Sequence, residues 1–119
     1  MLDASALLAF LQDERGTTEV EAALEAGAAC SSVNYSEVAQ KVRRAQGDWD
    51  TVSGLLAGYG LEVTDATSAD AVAAAQLWQA GSPLPLADRF CLATAARLAV
   101  PALTADTAWG TSEGVRQIR

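Results

Sequence analysis

Asp3, Glu37, Asp88 and Asp106 are the side chains of this sequence best placed to do chemistry. Each is an acid set against an apolar segment: Asp3 ahead of ALLAFL, Glu37 in SSVNYSEV, Asp88 in PLADRFCLATAARL, and Asp106 after PALTA. Carboxylates drawn from four distant stretches into one pocket would repel one another and resist ionisation, so the folded protein would want a divalent cation among them. Ligation by oxygen alone suits Mg²⁺ or Mn²⁺. The chain contains no histidine. That removes Ser-His-Asp and Cys-His catalysis, histidine-ligated zinc and a histidine general base, so hydrolysis would have to rest on the carboxylates.

Each acid also has a purely structural reading. Asp3 or Ser5 caps the first helix, and Asp106 caps the turn TAW. Glu37 completes a capping box with Asn34 or pairs with Lys41 four residues on. Asp88 favours a helix N-terminus or pairs with Arg89, itself either a strut held by a carboxylate or a contact for phosphate.

Composition sets the frame for the set as a whole. The 119 residues suit a single domain spanning 1–119, with 50% apolar and 19% charged residues, enough to bury a core. The apolar runs are far shorter than the roughly 20 residues that cross a bilayer, and no basic leader precedes a cleavage-like site, so the expectation is a cytoplasmic protein with no membrane contact. Cys30 and Cys91 lie in apolar segments without metal-ligand spacing and read as buried free thiols. A net charge of −7, with Lys41 the only lysine, argues against broad adhesion to nucleic acid or anionic lipid. Contact with nucleic acid would be local or cation-assisted.

The elements that must position these acids alternate. Short β-like runs are separated by longer helical ones, the pattern of a parallel sheet covered by helices. After the opening helix, Thr18 and Glu21 form a capping box for a helix ended by Gly27. Residues 28–33 read as a buried strand, and Asn34 caps a helix to Ala45, stopped at Gly47, with Val38, Ala39 and Val42 inward and Lys41, Arg43 and Arg44 outward. Asp48 opens a helix whose Trp49, Val52, Leu55, Leu56 and Tyr59 recur at helical spacing as core or helix-packing surface. LEVT is a strand, Thr67 with Asp70 opens an alanine-rich helix, and residues 86–99 are apolar enough to predict a largely buried helix. PALTA makes a strand ending near Asp106, and VRQI a closing edge strand. Asp3, Glu37 and Asp106 are thus expected just beyond strand ends, along the rim where parallel sheets bind ligands. Asp88 falls in the first turn of the most apolar helix.

Taken in order, DASALLAFL, SSVNYSEV, PLADRFCLATAARL and LTADTAW closely resemble the motifs of the PIN-domain ribonucleases, in particular bacterial toxins of the VapC type. The resemblance runs over nearly the whole chain. It implies a three-layer α/β/α fold with a central parallel sheet of four to five short strands. The family's metal-binding, catalytic acids carry over onto Asp3, Glu37, Asp88 and Asp106, its small polar residue after the first acid onto Ser5, and its threonine before the last acid onto Thr104. The implied activity is Mg²⁺- or Mn²⁺-dependent hydrolysis of RNA phosphodiester bonds, with a metal-bound water of lowered pKa as attacking group. Ser5, Lys41, Arg43 and Arg44 are the candidates for touching RNA, against a reading of the three basic residues as a solvated helix face. The implied partners are a second copy in a homodimer and a cognate antitoxin whose tail crosses an apolar groove. The stripe from Trp49 to Tyr59 is a candidate lining for it. DNA binding would belong to the antitoxin, not to this chain.

Two features depart from the family pattern. Only Met1 and Leu2 precede Asp3 where relatives carry a fuller strand, and the position three after Asp106 is Trp109, so no fifth acid is assigned. Other classes fit less well. A phosphate-receiver domain resembles its family by adjacent acids after the first strand and a late lysine, and a haloacid-type phosphatase by Asp-x-Asp; neither pattern is present. The remaining alternative is a silent PIN-like module that binds RNA or a protein without cutting.

Overall fold

A computed structural model describes residues 1–119. Helices α1 (Ala4–Leu11) and α2 (Thr17–Glu25) precede strand β1 (Ala29–Ser31), helices α3 (Ser32–Arg44) and α4 (Trp49–Gly58), and strand β2 (Glu62–Thr64). Helices α5 (Ser68–Gln76) and α6 (Leu86–Arg97), strand β3 (Ala102–Thr104), a 3₁₀ turn (Thr107–Trp109) and strand β4 (Val115–Gln117) complete the chain. Pairing is parallel throughout, with Cys30 opposite Val63 and Leu103 opposite Arg116. No helix is long and apolar enough to cross a membrane.

The mixed α/β class agrees with the sequence, but the sheet differs. In place of one central sheet of four to five strands there are two parallel pairs, β1 with β2 and β3 with β4. Residues 1–3 lie between the pairs. The Leu2 N–H donates to the Ala29 carbonyl (2.8 Å), the Leu103 N–H to Met1 (2.7 Å) and the Asp3 N–H to Leu103 (3.1 Å), yet Leu2 and Leu103 form only an isolated bridge. The stunted first strand expected from the sequence appears as this single bridge.

Side chains alternate across the two strand pairs and the residues between them and feed two cores. Leu2, Cys30 and Leu103 join Leu7, Val20, Leu24, Val38 and Leu56 in one cluster. Met1 and Ala102 join Cys91, Ala95 and Trp109 in the other. Both cysteines are buried free thiols, as expected.

Several helix boundaries shift from their sequence positions. The capping box expected at Thr18 and Glu21 is absent, because α2 starts two residues earlier with Gly16 as N-cap at φ 101°. A Cβ on Gly16 would stand 2.8 Å from the Ile118 side chain, so both the left-handed backbone and the close approach call for glycine. Ser31, not Asn34, caps α3, which cuts the preceding strand short and puts Asn34 inside the helix, fully buried. Gln46 at φ 61°, rather than Gly47, makes the left-handed exit from that helix. Helix α6 is not largely buried: Cys91, Ala93, Thr94 and Ala95 are enclosed, whereas Leu86 is 55% exposed.

Helices α5 and α6 are locked by the ion pair of Asp70 with Arg97. The Thr67–Asp70 capping box forms as expected, and the same carboxylate accepts from Arg97 Nε (2.8 Å) and Nη2 (3.1 Å) and from Thr94 Oγ1 (3.1 Å). The Arg97 guanidinium bond, with the Thr67 and Thr94 bonds behind it, outweighs burial and pulls the Asp70 carboxyl down to about 2. A folded-state pKa below the unfolded value contributes stability that is present above the ordinary carboxylate range and is lost as pH falls towards 2. Asp70→Asn is therefore expected to cost about 2 kcal/mol at pH 7, read by urea denaturation, with the gap to wild type narrowing below pH 4.

Candidate metal centre

Asp3 is the most enclosed of the four acids, at 2% exposure. It is the N-cap of α1, and its Oδ1 accepts from the Ala6 N–H at 2.7 Å. Ser5 Oγ lies 2.8 and 2.9 Å from its two oxygens, and Thr104 Oγ1 donates to Oδ2 at 2.6 Å. The hydroxyls are themselves anchored: Ser5 Oγ accepts from the Ala105 N–H (2.9 Å) and Thr104 Oγ1 from the Asp106 N–H (3.0 Å). Burial raises the Asp3 carboxyl above its ordinary range, and the Thr104, Ala6 and Ser5 bonds pull the other way. Ser5 is thus spent on holding Asp3, with its hydroxyl turned to Asp3, Thr104 and Ala105.

Glu37, Asp88 and Asp106 are half-buried. Glu37 does not sit just beyond a strand, because α3 begins at Ser32 and carries it more than a turn in. Its Oε1 is 3.6 Å from Lys41 Nζ, the i,i+4 pair read from the sequence, while its buried Oε2 has no hydrogen-bond partner. Asp88, in the first turn of α6, accepts through Oδ2 from the indole N–H of Trp109 at 3.1 Å. Asp106 caps the 3₁₀ turn, with Oδ1 accepting from the Ala108 N–H at 2.9 Å. Asn34 ties the helices that carry Glu37 and Asp88, since its Nδ2 donates to the Ala87 carbonyl at 3.1 Å.

Electrostatics joins the four. Asp88 is pushed up to about 6, first by burial and then by the charges of Asp3, Glu37 and Asp106, against the Trp109 bond. Asp88 thus feels the charge of each of the other three acids. No group of three or more acidic or thiol side chains, however, is arrayed to hold a metal ion. The donor set still fits a hard divalent cation. The oxygens are all carboxylate, and the orphaned Glu37 Oε2 is a buried acceptor that a cation would satisfy. Asp88 Oδ1 and Asp106 Oδ2 likewise accept nothing from the protein.

The basic candidates divide. Lys41 is held beside Glu37, and Arg43 and Arg44 are exposed in the last turn of α3. Arg89 does not pair with a carboxylate: its Nη1 donates to the Ala74 carbonyl at 2.9 Å near the end of α5, where exposed carbonyls favour a cation. Of the α4 stripe only Leu56 is fully buried. Leu55 and Tyr59 are exposed, and Val52 and Leu55 line a groove of about 310 Å³ with Leu8, Leu11, Val42 and Lys41. The larger groove, of about 470 Å³, lies between α5, α6 and the segment before β4, away from the acids, and Trp109 alone belongs to both. Sequence reasoning missed two supports of the site. Asn34, three residues before Glu37 on one helix face, carried a readable signal, and the Trp109 donor carried none.

The PIN domain family profile matches residues 1–111. Among solved structures, one described as a toxin-antitoxin complex from Klebsiella pneumoniae superposes with a TM-score of 0.76 at 21% sequence identity, over 99% of this chain and 96% of that one. This likeness is one of fold. The comparison with curated proteins finds no match.

Raised as it is, the Asp88 carboxyl favours folding when protonated, and that stability is lost as pH rises from the ordinary carboxylate range through about 6. Asp88→Asn is expected to raise the melting temperature by a few degrees at pH 7.5 in chelator and to leave it unchanged at pH 4, as followed by circular dichroism. Partial exposure of the group keeps the effect modest.

Proposed function

The chain belongs to the PIN-domain family, and on that premise we propose that it is a single-domain nuclease, an Mg²⁺- or Mn²⁺-dependent endoribonuclease serving as the toxin of a toxin-antitoxin pair. The observation that carries this reading is the electrostatic convergence on Asp88 of Asp3, Glu37 and Asp106, acids from four separate segments. The fold likeness to a toxin-antitoxin complex supports an antitoxin as partner. We read the two strand pairs, with residues 1–3 between them, as one narrow central sheet flanked by helical layers.

Asp3, Glu37, Asp88 and Asp106 would hold the ion. A divalent cation in such a site supplies a water of lowered pKa and positive charge against the phosphate. The protein's own residues do the rest. Ser5 and Thr104 orient Asp3, Trp109 orients Asp88, and the cap of the 3₁₀ turn orients Asp106. Arg43 and Arg44, exposed beyond Glu37, meet the RNA backbone, and Lys41 joins them when it leaves Glu37. The α4 groove receives the antitoxin tail, a second copy completes a homodimer, and the pair works in the cytoplasm without direct DNA contact.

One observation favours the second reading, a module that binds RNA or a protein and does not cut: no group of acids is arrayed to hold an ion. Incubation of the purified protein with total RNA separates the two. Cleavage is expected with Mn²⁺ and not with chelator, and Asp3→Ala and Asp88→Ala should each lower the rate by at least about 100-fold. Millimolar Mn²⁺ should also raise the melting temperature of the wild type, because a ligand bound only by the folded state stabilises it. Equal cleavage by the variants would expose a contaminating nuclease, and binding without cleavage would leave the silent module.

A further inference from the structure

The acids are not the last residues with a stake in this site. Trp109 is 7% exposed, and its ring packs with Met1, Cys91, Ala95 and Ala102 in the second core, which fixes the indole in place. Its one polar atom, the indole N–H, can only donate, and its partner is Asp88 Oδ2 at 3.1 Å. The turn that ends in Trp109 is braced at both ends. Asp106 caps its start, and Gln117 Nε2 on β4 donates to the carbonyls of Asp106 (3.0 Å) and Gly110 (2.9 Å). Three residues therefore connect two of the four acids. Asp106 opens the turn and Trp109, at its close, takes hold of Asp88 across from α6.

We infer that Trp109 is the positioning residue for Asp88: by engaging Oδ2 from a rigid seat it leaves Oδ1 to face the other acids, and it couples Asp88 to Asp106 through the braced turn. The inference rests on the metal-site reading above. A plainer role, in which the indole only satisfies a buried N–H, would leave cation binding untouched if that N–H were removed. Groups that hydrogen-bond a ligating carboxylate typically account for about 10- to 100-fold in metal affinity, and that is the scale to test.

The test is Trp109→Phe, which keeps an aromatic ring in the core and removes the donor, with Mn²⁺ affinity measured by calorimetry on the full chain. W109F should bind about 10-fold more weakly than wild type. In an Asp88→Asn background it should cost nothing further, since the two act as one unit. Trp109 emission should shift when Mg²⁺ is added to wild type, the shift should vanish in W109F, and it should survive in W78F, whose tryptophan is 61% exposed. Unchanged affinity in W109F, or an equal loss in the D88N background, overturns the positioning role while leaving the metal site standing. Absence of any Mn²⁺ binding by wild type overturns the metal reading and this inference together. Should W109F fail to fold, Gln117→Leu frees the turn without altering the ring. Weakened binding then supports the inference, and unchanged binding overturns it.

Discussion

A carboxylate sealed between two strand pairs is the constraint around which this molecule is arranged. Asp3 sits between the two strand pairs, where water is excluded, and a charge there is tolerable only with donors on every side. The Ser5 and Thr104 hydroxyls and the Ala6 amide provide them. Those donors come from the first turn of α1 and the end of β3, so satisfying one acid fixes how the first helix leaves the sheet. It also fixes how the chain beyond β3 turns, because the Thr104 hydroxyl that donates to Asp3 accepts the Asp106 amide. Solvation of Asp3 and placement of Asp106 are one event.

The second axis of order runs along α6. At its first turn α6 carries Asp88 into the acidic neighbourhood, held by Trp109, and near its end Arg97 grips Asp70 and fixes α5 alongside. The two carboxylates are opposites. Asp70 has a guanidinium against it and stays ionised well below the usual range, whereas Asp88 has only a neutral indole and three like charges for company. The Asp70–Arg97 pair supports the fold, and the crowded acid is where the fold accepts a cost.

Much of this was readable in the residues. The four acids could be picked out by their attachment to apolar segments, the helix caps at Asp48 and Thr67 appear where Thr-x-x-Asp and a lone Asp before Trp49 placed them, and the absence of histidine directed attention to oxygen donors. What escaped was set by distant packing. Gly16 is an N-cap because Ile118, over a hundred residues away, leaves no room for a side chain. Asn34 looks like a cap by type, but Ser31 precedes it with a free hydroxyl and Ala87 claims the amide. An alanine-rich α6 reads as buried all round, yet its outer face has nothing over it. Continuity of the sheet fails at Leu2, which meets Leu103 only in an isolated bridge.

Asp3 and Asp106 each serve two masters if the proposed metal site holds, since each carboxylate also caps the element it begins. Selection on folding therefore protects these positions even where selection on activity is relaxed. Asparagine is the exit that such a lineage would find first at Asp106, where the amide keeps the cap's acceptor oxygen and discards the charge, whereas at Asp3 both oxygens accept hydrogen bonds and an NH₂ group would set a donor against the Thr104 hydroxyl.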